Sequence, residues 1–262
     1  MYIDTHCHAG INWFEPIENL IFQMDMNSVE KSVLVQHKGS SNDYLYNCQS
    51  KYPDKFSVVA SVDWDSSLED QVNEFNSRGV SGVRIYLNYN EIFENKGNDF
   101  FENCSENNLL ISLASDLKTF SSFSFKNLVE GNKETIFIIE HLAGVGSSEL
   151  ENDNLNKKNQ FKQVLSLSEN KNLFMKVPGL GELNERPSLL SNNFPFKNDN
   201  SGYIKQTLES FSSEYLMWGS DYPPVSNREG YKNSFRGVFD LSFLSNKDKE
   251  NIFENVPKKL FF

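Results

Sequence analysis

Eight short apolar runs punctuate the chain, at 2–6, 32–36, 57–62, 82–87, 109–114, 135–140, 172–177 and 214–219. Each is rich in Val, Ile, Leu and Phe and too densely apolar for a strand wet on one face, so they predict buried parallel strands. Amphipathic stretches alternate with them, at about 15–28, 43–52, 66–78, 99–107, 119–130, 160–170, 203–211 and 246–261. In the clearest, Leu68, Val72 and Phe75 share one helical face, Ser66 or Ser67 suits the start and Gly79 suits the stop. Strand-then-helix repeated eight times predicts an α/β chain folded as a single (β/α)8 TIM barrel over residues 1–262. A doubly wound open sheet is the alternative. It is disfavoured because no glycine-rich phosphate loop follows any strand.

Two connections are long, polar and rich in Gly, Pro and Asn, at 142–159 and 178–202. Both follow strands, so in a barrel they would rise over its C-terminal face, as surface insertions or as a lid. Composition narrows the partners. A net charge of −11 argues against nucleic acid or an anionic membrane surface. No apolar run approaches the ~18 residues that span a bilayer, and the opening MYIDTHCH has no secretory pattern. Cys7, Cys48 and Cys104 lack paired or metal-motif spacing, which fits a reducing compartment. A cytoplasmic protein with a small-molecule substrate, and homodimeric assembly, are the expectations.

Candidate chemistry gathers at strand ends. In Asp4-Thr5-His6-Cys7-His8, strand parity turns His6 and His8 to one side, making a half-site for zinc or a similar metal, and turns Cys7 away. The run Leu216-Met217-Trp218-Gly219-Ser220-Asp221-Tyr222-Pro223 puts Asp221 at the tip of the eighth strand, beside the first strand in a closed barrel. His141 stands where Ile136–Glu140 becomes a loop. Arg84 and Lys176 lie within apolar strands and Arg186 in the second long loop. Buried charges need partners, so they read either as an internal ion pair, with Asp4 a candidate acid, or as a clamp for a substrate carboxylate. His37 ends the second strand and is a candidate pocket residue. Trp13, Phe14 and Tyr222 are candidates for an apolar wall.

D-T-H-C-H, E-H-L-A-G, M-K-V-P-G, M-W-G-S-D-Y-P and the closing E-N-V-P-K-K-L-F, in that order, resemble the amidohydrolase-related family of the amidohydrolase superfamily. The resemblance implies a barrel hydrolase, less often a decarboxylase. It also implies that His6, His8, His141 and Asp221 bind a metal or handle the water. No histidine follows His141, where metal-dependent members carry another, and neither a carboxylated lysine nor a bridging glutamate is visible. The remaining set resembles the lactonase branch, some of whose members work without metal. The expectation is therefore hydrolysis of a lactone, ester or amide in a small carboxylated molecule by activated water. One divalent metal, zinc or manganese, is the expected cofactor, with a metal-free version open. A metal-dependent non-oxidative decarboxylase and a non-catalytic ligand-binding barrel are the alternatives.

Overall fold

The computed structural model describes residues 1–11, 14–87, 90–93, 95–146, 154–184 and 200–262. Its strands are β1 (Tyr2–Cys7), β2 (Val29–Val35), β3 (Phe56–Ser61), β4 (Gly82–Tyr86), β5 (Leu110–Ala114), β6 (Phe137–Ile139), β7 (Leu173–Val177) and β8 (Leu216–Trp218). All neighbours pair in parallel and in chain order. Along the seam between β1 and β8, Thr5 Oγ1 donates to Trp218 O at 2.7 Å, Asp221 N to His6 O at 2.9 Å and His8 N to Tyr222 O at 2.7 Å. These bonds bring the two edges together into a nearly closed (β/α)8 barrel. Each expected strand is present. The largest difference is at β2, which starts at Val29: Glu30 and Lys31 break the apolar run, but pairing with β1 continues across a register shift at Glu30.

Strand parity divides the core. Val33, Val35, Val59, Leu110, Ile138, Phe174 and Met217 form an inner cluster, while Leu34, Val58, Val83, Ile111, Phe137, Leu173 and Trp218 join the larger cluster under the helices. Two residues further along several strands the inner position turns polar: Leu110 gives way to Ser112, Ile138 to Glu140 and Phe174 to Lys176. An apolar floor therefore supports a charged upper layer. Val256 and Phe261 pack on the inner cluster from the closing helical segment, and Ser81 Oγ donates to Phe261 O at 3.2 Å.

The helix Leu68–Arg78 matches its reading, with Ser67 Oγ accepting from Asp70 N and Gly79 left-handed at φ 65°. The stretch 119–130 is instead two helices, Leu117–Phe120 and Phe123–Gly131. Asp116 and Ser122 each cap a new start by accepting a backbone N–H three residues on. The closing stretch is interrupted by a π turn at Asn251–Asn255, ahead of Pro257, which has no N–H to give a regular helix. A helix at Tyr231–Phe239 lies where none was expected. Among the described residues no helix is long and apolar enough to cross a membrane.

Candidate active site

The first strand is not regular. Asp4 pairs with Ser32 and Cys7 with Leu34, so three steps of β1 oppose two of β2. That extra residue is a bulge, and it rephases the side chains. Asp4 and Cys7 meet on one side, Sγ donating to Asp4 Oδ2 at 3.0 Å, while Asp4 Oδ1 accepts from His6 N and Ser220 N. Asp4 is thus a seam residue, and the acid that pairs with the buried arginine is a different one. His6 and His8 turn into the barrel with ring centroids 4.9 Å apart.

Around them the site assembles from four strand ends. His8 Nδ1 lies 2.6 Å from Val35 O; a carbonyl only accepts, so this nitrogen carries the proton and Nε2 faces Asp221 Oδ1 at 3.3 Å as an acceptor. His6 Nε2 is 3.9 Å from the same oxygen and is buried without a hydrogen-bond partner. His141 packs against His6 with centroids 4.7 Å apart. His6, His141 and Asp221 each offer an atom within 4.8 Å of the others, and with the orphaned His6 Nε2 this spacing fits a divalent metal. The backbone is bent to achieve this. His141, Leu142 and Ala143 are consecutive left-handed residues at φ 51°, 51° and 60°, and Asp221 stands at φ 58°. Such conformations cost about 1–3 kcal/mol each and collect at functional sites.

The carboxylates beneath the histidines set their charge. Arg84 donates to Glu140 Oε2 from Nε at 3.1 Å and Nη2 at 2.7 Å, and to Gln36 O from Nη1 at 3.2 Å. Burial alone would raise the Glu140 carboxyl, but the Arg84 and Lys176 charges win and hold it at about 2. Ser112 Oγ donates to Glu140 Oε1 at 2.7 Å and accepts from Lys176 Nζ at 3.3 Å, and Nζ also meets His6 Nδ1 at 3.2 Å. Burial lowers the lysine to about 8 against the pull of Glu140, so the ammonium form prevails at neutral pH. The His6 imidazole is pushed well down by burial and then by the Lys176 charge. His141 goes the other way. Burial works to lower it, yet Glu182 at 3.0 Å from Nδ1 lifts it to about 9. Burial opposes ionisation of Asp221 too, but a proton shared with His8 Nε2, the His141 charge and Arg228, whose Nη2 donates to Oδ2 at 3.0 Å, hold it well below the usual range.

His6, His8, His141 and Asp221 lie together at one end of the barrel. Arg84 and Lys176 lie in the layer below, each already bonded within the protein. His37 stands at the rim, its ring 5.9 Å from Phe14 and 6.4 Å from Tyr86, and Phe14 stacks on His8 at 4.7 Å. Tyr222 turns away and packs on Tyr231, its hydroxyl donating to Glu15. Arg186 and Trp13 lie outside the described residues. Ser112, Glu182 and Arg228 are site members outside the motifs, and Glu140, which opens E-H-L-A-G, had been given no role. A glutamate closing an otherwise apolar strand was a usable signal for Glu140. Glu182, on the short helix Leu180–Leu183, and Arg228 had none.

A sequence model of the family described as amidohydrolase matches residues 3–262. The chain belongs to the amidohydrolase family. No curated protein matches its sequence. Among solved structures, this chain is similar to a probable 2-pyrone-4,6-dicarboxylic acid hydrolase from Acinetobacter baumannii with citric acid bound. The TM-score is 0.77 at 21% identity, over 99% of this chain and 98% of that one. An amidohydrolase from Burkholderia multivorans with bound zinc superposes at TM-score 0.81 and 14% identity, again over 99% and 98%. The 5-carboxyvanillate decarboxylase of Sphingomonas paucimobilis shares the barrel too, at TM-score 0.66 and 10% identity, over 99% and 98%. At these identities the likeness to the solved structures carries the fold alone.

Proposed function

We propose that this chain is a hydrolase that opens a lactone, ester or amide bond in a small carboxylated molecule, with Asp221 as the base that activates water. The observation that carries the proposal is the approach of Asp221 Oδ1 to His8 Nε2 at 3.3 Å. His8 Nδ1 is committed to Val35 O, so two acceptors face each other across a gap that one shared proton, or a water donating to both, satisfies. A water held there loses its proton to Asp221, attacks the carbonyl, and the proton passes on to the leaving group. His141, charged at neutral pH, donates toward the developing oxyanion, and Glu182 holds its ring. In a metal-loaded version, with the outer nitrogens of His6 and His141 deprotonated, a divalent ion such as zinc or manganese held by these two and Asp221 would supply an acidified water and a polarised carbonyl.

A carboxylated substrate is supported by the dicarboxylic acid hydrolase among the similar structures and the citric acid bound to it. Arg84 is engaged with Glu140, so this proposal assigns the substrate carboxylate to Arg186 and to the rim residue His37. Asp221→Asn keeps the shape and removes the proton acceptor. On a panel of carboxylated lactones and esters, this variant is expected to lose at least ~10³-fold in kcat with substrate affinity largely kept. Robust turnover by Asp221→Asn, or carbon dioxide release in place of ring opening, would overturn the proposal.

A further inference from the structure

The polar layer beneath the histidines has a direction. Arg84 can only donate, so the Glu140 oxygens only accept from it. Ser112 Oγ spends its single proton on Glu140 Oε1, so the face it shows Lys176 is a lone pair. Lys176 Nζ, an ammonium without a lone pair, donates there and donates again to His6 Nδ1 at 3.2 Å. An imidazole whose Nδ1 accepts carries its proton on Nε2. His6 Nε2 is also the buried ring nitrogen that has no partner among the described residues, and it faces Asp221 Oδ1 from 3.9 Å.

We infer that Lys176 is a positioning residue that locks His6 in the tautomer with its proton on Nε2, so that His6 enters the site as a hydrogen-bond donor and not as a metal ligand. A donor there suits the developing oxygen of a carbonyl under attack. The same N–H has no lone pair for zinc, although the spacing of His6, His141 and Asp221 would accept one. Lys176 thus selects between the metal-free and the metal-assisted version of one site. The two histidines of β1 are set oppositely by what lies behind them. Val35 O draws the proton of His8 to Nδ1, and the Lys176 ammonium drives that of His6 to Nε2.

The experiment is long-range 1H–15N correlation NMR on the full chain with 15N-labelled histidine at pH 7, His6 being assigned by its loss in His6→Gln. The expected spectrum shows His6 protonated at Nε2 and His8 at Nδ1. A His6 signal protonated at Nδ1 overturns the inference, and this arm needs no lysine variant to fold. In Lys176→Met, or Lys176→Gln if the first is unstable, His6 is expected to populate both tautomers and zinc affinity by calorimetry to rise at least tenfold. An unchanged tautomer or unchanged zinc affinity counts against it. The kinetic arm rests on the hydrolase reading: loss of the donor is expected to lower kcat about 100-fold with KM little changed. If Asp221→Asn stays active the hydrolase reading falls, while the tautomer result stands or falls by itself.

Discussion

Arg84 makes three hydrogen bonds within the barrel, two of them to Glu140, and both side chains are almost wholly buried. Removing one partner of such a pair leaves an uncompensated charge in a poorly solvating interior, which typically costs 3–5 kcal/mol. Arg84→Met is therefore expected to lose about that much stability in urea denaturation. If its unfolding midpoint is unchanged while substrate affinity drops by roughly 1.5–3 kcal/mol, Arg84 acts on the substrate carboxylate instead. Residue identity made Arg84 and Lys176 stand out, since charge inside an apolar run demands an explanation. It did not say which acid answers, because Glu140 comes from a strand two places further round the barrel.

At the scale of elements, the decisive contact is β8 against β1. A Cβ placed on Gly219 would lie 2.6 Å from His6 Cβ, closer than atoms tolerate, so only glycine lets the two strand ends meet here. Gly219→Ala is expected to push His6 aside and lower kcat by about 100-fold, the penalty of an ångström-scale misplacement. Steady-state kinetics with a circular-dichroism check of the fold tests this, and near-normal kcat would show that the seam has slack. The alternation of strands and helices was legible because buried parallel strands and amphipathic helices leave strong periodic patterns. The bulge in β1 was not, since inserting one residue changes no residue type; it lies between Asp4 and Cys7, yet both histidine rings still turn into the barrel, where alternation had placed them. Nor were the left-handed turns at His141 and Asp221 legible, as neither position is glycine.

For the whole molecule, acid is the informative stress. Glu140 is held down at about 2 from an ordinary 4.5, so the unfolded chain takes up its proton first. The stability from its ionised form is fully present above pH 4.5 and is lost as pH falls toward 2, on the order of 3 kcal/mol. Urea midpoints measured from pH 6 down to 2.5 should fall through that window, and Glu140→Gln should flatten the slope. A wild-type midpoint insensitive to pH would contradict the ionised, paired Glu140. The seam carries a consequence for how the chain reaches this state. Ser220 N reaches Asp4 across 216 positions of sequence and Thr5 reaches Trp218 across 213. Contacts so distant along a chain form slowly, because a long loop must close before any of them stabilises the structure. His6 and His8 therefore leave the ribosome well before the β8 residues they need and are among the last to find their partners. Until β8 arrives, β1 presents an open edge that other chains can pair with, and it is in that interval that the nascent protein is most exposed to aggregation.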